Sequence, residues 1–289
     1  MNSKQVSRLL AAVVAFTLVS TAANAQRQPG ARKGPASKIY VAETQGETLI
    51  ETGDKIYTAR QATAFDASGT VIETKENAHN AFVYSNGTGM YVDQNSRVEI
   101  TRFLQEPFLP DPNKDALVEP SVSVSDIIIA RGAIGICTSR LVSGSSMSYS
   151  TPHVTLHIRG GRIAIEALPD RTIIDLLEGD LTVRTGRDDV GGQVLRPGER
   201  AVVQPGSAGK PPAITIGPIP PEVLSIVEGR VNVACNARRT VSFETIERGA
   251  GGGPDGAGQQ GGQDIVPRPT VPQQLPSNIV VSPDRLPGN

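Results

Sequence analysis

Residues 148–203 read SYSTPHVTLHIRGGRIAIEALPDRTIIDLLEGDLTVRTGRDDVGGQVLRPGERAVV. Apolar and polar residues alternate over VTLHI (154–158), RIAIEAL (162–168) and DLTVRT (180–185), and RTIIDLL (171–177) is a short β-branched run. A period of two in Val, Ile and Thr is the pattern of strands that bury one face. Turn signals separate the runs at Gly160-Gly161, Glu178-Gly179-Asp180, Gly191-Gly192 and Pro197-Gly198. Glycine belongs where a chain turns through positive φ or where two backbones approach closely.

The rhythm extends upstream. TLIET (48–52), KIYTA (55–59), TVIET (70–74), AFVY (81–84), GMYV (89–92) and RVEI (97–100) are strand-like. So are SVSVSDIIIA (121–130) and AIGIC (133–137). The expected fold class is all-β, a β-solenoid-like or sandwich-like stack of short strands. Phe103 to Pro120 carries four prolines and reads as a long loop or as a joint between two β halves. Pro220-Pro221-Glu222 opens one short helix near 221–229, with Val223, Leu224, Ile226 and Val227 on its apolar face. VNVAC (231–235) and TVSFETI (240–246) are expected to return to strand. Residues 249–289 are rich in Gly and Pro and read as a disordered tail, with IVVS (279–282) the one apolar segment in it.

The first 25 residues carry Lys4 and Arg8, an apolar stretch from Leu9 to Val19, and Ala23-Asn24-Ala25. That is the order of an export signal cleaved after Ala25, and the apolar run is short for a retained membrane anchor. Residues 26–37 then form a flexible leader, and the β domain runs over 38–248. The expected location is periplasmic or secreted, with no stable membrane insertion once the signal is removed. In such a compartment Cys137 and Cys235, 98 positions apart, can pair or remain two buried thiols. The pair is the expectation, because AIGI before Cys137 is strand-like. Closing that loop stabilises a fold by about 4–5 kcal/mol in the chain-entropy model.

Composition narrows the function classes. The chain has 28 Lys and Arg against 29 Asp and Glu, a net charge of −1, so it lacks the basic footprint of a nucleic-acid binder. Aromatics are 4% and Trp is absent, so the core is expected to be Val, Ile, Leu and Ala. His153 and His157 stand four apart in a strand-like segment, which puts their Cα atoms about 13 Å apart, too far to share a metal. The serine-rich SGSSMSYS (143–150) lacks the nucleophile-elbow pattern and reads as a polar turn before a strand. Asp188-Asp189 sits in a hydrophilic loop, and Asn86-Gly87-Thr88 reads as a hairpin turn rather than a glycan acceptor. No catalytic, cofactor-binding or metal-ligating set emerges, and the expectation is a protein that is not an enzyme.

An ordered series of motifs resembles the FecR domain, a periplasmic regulatory module. It comprises Thr151-Pro152, the run into Arg159-Gly160, the strand ending at Glu178-Gly179, and the closing Pro197-Gly198 turn. Asn86-Gly87-Thr88 through Ile100 resembles the family's first hairpin, and the likeness is strongest over 80–203. Gly161 departs from the family's usual Thr. The resemblance implies a non-catalytic module that binds an envelope protein partner. The family's membrane regulators carry a cytoplasmic sigma-binding segment before a membrane helix. Here an export signal stands first, so only the periplasmic module is implied, and the family's name by itself does not bring iron into the function. A structural or adhesive component binding glycan or itself is the alternative.

Overall fold

The computed structural model describes residues 37–108, 118–185, 191–206, 212–247 and 263–269. The export segment with its cleavage site, the leader to residue 36, Asp188-Asp189 and IVVS (279–282) lie outside the described residues. The first eight strands are β1 (Lys38–Gln45), β2 (Thr48–Thr52), β3 (Lys55–Thr58), β4 (Ala64–Asp66), β5 (Thr70–Thr74), β6 (His79–Tyr84), β7 (Gly89–Val92) and β8 (Arg97–Gln105). Seven more follow: β9 (Ser123–Thr138), β10 (Ser146–Ser150), β11 (Thr155–Ala167), β12 (Thr172–Arg184), β13 (Gln193–Leu195), β14 (Glu199–Gln204) and β15 (Ala213–Pro218). Helix α1 (Pro221–Thr240), β16 (Val241–Glu247) and β17 (Gln263–Pro269) complete the described elements.

Strands β1 to β15 form one sheet, and it doubles over into two layers. The doubling happens inside three long strands. In β9 the core-facing residues are Ile127 and Ile129 before Gly132, and Ile134 and Ile136 after it. In β11 they change from Leu156 and Ile158 to Ile163 and Ile165 across Gly160-Gly161, and in β12 from Ile174 and Leu176 to Leu181 and Val183 across Gly179. The parity of the buried positions slips by one at each glycine. The same side of the strand therefore faces inward on both sides of the bend.

One layer runs β3-β2-β5-β8-β9-β10-β11-β12-β13, using the first half of β9 and β11 and the second half of β12. The other runs β4-β1-β6-β7-β9-β11-β12-β14-β15, using their other halves. The arrangement is the sandwich-like one of the two expected. The glycine sites expected as turns at Arg159-Gly160 and Glu178-Gly179 are bends within continuous strands. Glycine at φ +141° (Gly160), +135° (Gly161) and +101° (Gly179) redirects the chain while the ladder continues on both sides. A Cβ on Gly161 would sit 2.0 Å from the Glu178 carbonyl oxygen. Thr151-Pro152 and Pro197-Gly198 do lie in connections, between β10 and β11 and between β13 and β14.

The core between the layers is mainly Ile, Val and Leu. The few aromatics are concentrated there, against expectation: Tyr84, Tyr149, Phe82 and Phe103 are the largest fully buried side chains. Tyr84 of one layer meets Phe103 of the other edge-on, with centroids 5.1 Å apart. Rings fill the inter-layer space with the most apolar area per residue. Tyr149 places a hydroxyl there that finds no hydrogen-bond partner among the described residues.

Helix α1 extends well past the expected 221–229. It continues to Thr240, so VNVAC is helical rather than a strand. Val231, Val233 and Cys235 alternate like a strand, but the buried face is Val227, Val231, Ala234 and Ala237, at helical spacing. Pro221 at its start, Glu222 in the first turn and Arg238 and Arg239 in the last suit the helix dipole. The helix lies on the outer face of β6, β7, β9 and β11, where small residues let its backbone come close. A Cβ on Gly89 would stand 2.0 Å from the Ala234 carbonyl oxygen, and one on Gly135 2.5 Å from that of Arg230. The Cys137–Cys235 disulfide joins β9 to the helix at this face, and Arg230 pairs with Asp93 at 2.9 Å. After the helix, β16 pairs antiparallel with β17. Residues 263–269 are thus a strand within the segment expected to be disordered. Composition alone cannot register the backbone partner that 241–247 supplies. Residues 249–262 and 270–289 lie outside the described residues.

Two predictions follow from the bends and the core. Gly161→Ala should lower stability by about 2–3 kcal/mol, as a strained positive φ combines with a backbone clash. Gly53→Ala, at φ +57° with nothing within 4 Å, should cost only about 1 kcal/mol. Urea midpoints compare the two. Burial raises the tyrosine pKa of both Tyr84 and Tyr149. Tyr91 is pushed up to about 12, first by burial and then by the Asp93 charge. A raised tyrosine pKa adds stability that is complete below the unfolded value of about 10 and is lost as pH climbs through the folded values. Denaturation above pH ~10 should therefore coincide with tyrosinate absorbance. Tyr149→Phe should make that onset shallower without loss of stability at neutral pH, because it deletes an unpartnered hydroxyl.

Candidate functional site

An exposed strand lies at the side where β3 ends one layer and β4 ends the other. The β2–β3 hairpin turns at Gly53-Asp54, and β3 pairs only with β2 among the described residues. The Ala59 N–H donates to the Thr48 carbonyl at 2.8 Å. With the register Ile50↔Tyr57 and Thr52↔Lys55, that bond sets which residues exchange backbone bonds with β2. Antiparallel ladders alternate, so the N–H and C=O of Ile56 and Thr58 point away from the sheet. All four residues of β3 are exposed. Ile56 is 67% exposed and Tyr57 40%.

The side chains follow from the same register. Tyr57 is paired with buried Ile50, so it faces inward, toward the opposite layer. There it meets Phe65 of β4, with ring centroids 5.5 Å apart. The rings stand at the mouth between the layers and line a cleft of about 470 Å³ with Lys38, Thr52, Ala64, Asp66 and Ser68. Lys38 and Asp66, opposite each other on β1 and β4, pair at 2.6 Å. Ile56 faces the outer side, beside Glu51.

The other edges offer less. On β4 the Asp66 carbonyl already accepts from Thr70 Oγ1 at 2.6 Å. Strand β13 has three residues. Strand β15 is bracketed by Pro212 and Pro218, which lack N–H donors, and its Ile214 and Ile216 pack against the core. Short strands and proline are devices that blunt an edge.

The residues singled out in the sequence fall elsewhere. Asn86 is 2% exposed, and its amide donates to Glu119 Oε1 and Ser123 Oγ, each at 3.1 Å. The Asn-Gly-Thr triplet is thus a hairpin turn with a buried asparagine. Glu119, which sequence reasoning passed over inside the proline-rich segment, is the centre of this cluster. Its carboxylate also accepts from Ser145 Oγ at 2.6 Å, the Val142 N–H at 3.3 Å, and the Ser123 hydroxyl. It is 1% exposed and held by donors rather than by a cation among the described residues. The cluster ties the return of the proline-rich loop to the β6–β7 turn and to the serine-rich segment.

His153 Nδ1 lies 3.0 Å from Thr172 Oγ1. His157 stands in a row across the outer face of the other layer with Arg102, Asp126, Ser148 and Thr182. Burial is the main cause lowering its pKa, with Arg184 adding to it and Asp126 opposing. A serine, a histidine and an aspartate adjoin here, yet the Ser148 hydroxyl donates directly to Asp126. Nucleophile activation needs the base next to the hydroxyl and the acid behind the base. Among the described residues no group of three or more His, Cys, Asp and Glu could hold a metal ion. No helix among them is long and apolar enough to cross a membrane.

No family model matches the chain, and no curated protein matches it. Of the solved structures that do, two are each described as a candidate anti-sigma factor from Parabacteroides distasonis. They are 12% and 11% identical, with TM-scores of 0.39 and 0.37, and in each case the match covers 54% of this chain and 62% of the other. Likeness at that level carries no weight for what this chain does.

Glu119→Ala should cost about 2–3 kcal/mol, since Asn86, Ser123 and Ser145 lose a buried acceptor. Ser145→Ala should cost about 1 kcal/mol. Chemical denaturation of the two variants measures the difference.

Proposed function

We propose that this chain is exported to the bacterial cell envelope and acts there as a non-catalytic binding or regulatory module through protein–protein contacts. The observation that carries the proposal is the open sandwich edge, where an exposed strand keeps backbone groups unpaired among the described residues, beside exposed Ile56 and Tyr57. Exposed strands of this kind are where partner proteins add their own. The N-terminal pattern from Lys4 to Ala25 supports export, and the motif series from Thr151 to Gly198 that resembles FecR domains supports a regulatory role. The direct Ser148–Asp126 bond speaks against serine chemistry where Ser148, His157 and Asp126 adjoin.

Cross-linking of the protein in intact cells, with fractionation and sequencing of its N-terminus, tests this. The expected result is a periplasmic or secreted protein beginning at Gln26 and coupled to a distinct envelope protein. Retention in the cytoplasm would overturn the export reading. Capture of itself alone, or of wall polymer alone, would replace the regulatory reading with a structural or adhesive one.

A further inference from the structure

We infer that β3 receives an extended segment of a partner protein as an added strand, and that an aliphatic side chain of that segment seats in the cleft that Tyr57 and Phe65 line. This rests on the protein-binding reading above and names the surface and the chemistry it selects.

The backbone sets the first requirement. Ile56 and Thr58 present two N–H donors and two carbonyl acceptors along one line, at the two-residue repeat of a strand. Only another extended backbone returns donors and acceptors at that spacing, so an added strand satisfies all four at once.

The side chains set the second. A residue placed opposite Tyr57 in an added strand points inward, as Tyr57 does, and reaches the mouth where Phe65 is only half-buried. The two rings already occupy part of that space, so an unbranched-to-branched aliphatic chain fits better than a third ring. Residues opposite Ile56 and Thr58 point to the outer side, where Ile56 is 67% exposed. An apolar residue beside Ile56 and a polar one beside Thr58 complete the pattern. Lys38 and Asp66 at the rim neutralise each other, so the cleft does not select a charged side chain.

The occupant is a segment of another protein rather than a second copy. Strand β3 is four residues long, a span of about 13 Å. Two copies meeting edge to edge would share only that length, whereas stable protein interfaces bury about 1,200–2,000 Å². A flexible segment needs less area, because main-chain bonds and one pocketed side chain carry it.

A photo-reactive amino acid placed in turn at positions 56 and 58, and at Val194 as an exposed site on β13, tests the inference in intact cells. The cross-linked peptide is mapped, a synthetic copy of it is titrated onto the full chain, and amide hydrogen exchange is followed. The expected result is capture from 56 and 58 of a segment with alternating aliphatic residues. Exchange at Ile56 and Thr58 should slow at least tenfold on adding the peptide. Ile56→Lys, whose side chain points outward, and Thr58→Pro, which deletes an outward N–H, should each weaken peptide binding at least tenfold. Ile56→Val should bind as the native chain does, and unchanged urea midpoints show that the variants fold. Capture from Val194 but not from 56 or 58 would overturn the β3 site and leave the protein-binding reading standing. Capture of a second copy through β3 would overturn the choice of occupant. Capture from none of the three positions, together with none by general cross-linking, would overturn both readings.

Discussion

The fold depends on three strands that bend without breaking. At Gly132, Gly160-Gly161 and Gly179 the backbone takes positive φ, and a side chain at Gly161 or Gly179 would meet a carbonyl oxygen at 2.0 Å. Each bend shifts the buried parity by one residue. Without that shift, half of β9, β11 and β12 would turn isoleucines and leucines to solvent and polar residues to the core. Gly161 stands directly opposite Gly179, so those two bends act together, while Gly132 bends β9 opposite Ala167, at the other end of its ladder with β11. The hydrophobic core between the layers is a consequence of where these glycines stand.

A second close approach depends on the first. Once β9 passes Gly132, its outer face presents Ala133, Gly135 and Cys137. Together with Gly89 and Ala81 they make a shallow bed on which α1 lies almost backbone to backbone. The disulfide and the Arg230–Asp93 pair hold it there. In the chain-entropy account a cross-link over 98 residues is worth about 4–5 kcal/mol, comparable to the net stability of many domains. The helix therefore buries the middle of one outer face.

The buried polar groups serve the same framework. Glu119 accepts from side chains and backbone of three separate segments and so fixes where the proline-rich loop returns. A buried carboxylate is tolerated when its donors are many. Its role was not legible in the sequence, because its partners Asn86, Ser123, Val142 and Ser145 are spread along the chain. The edge at β3 was legible only as one strand among many: KIYTA carries nothing to show that its far side goes unpaired.

Local periodicity was enough to establish the all-β class, the positions of most strands, the turns at Asn86-Gly87 and Pro197-Gly198, and the presence of a helix opening at Pro221. These are properties of a few consecutive residues, and alternation or turn chemistry reports them directly. Tertiary structure alone decided that the glycines at 160 and 179 bend strands instead of ending them, since a glycine at positive φ suits either. It also decided that α1 runs to Thr240, because VNVAC satisfies a strand period and a helix period equally until Gly89 and Gly135 offer it a bed. The open edge belongs to the same class. Whether a backbone N–H is paired depends on which distant strand arrives beside it, and no short stretch of sequence contains that partner.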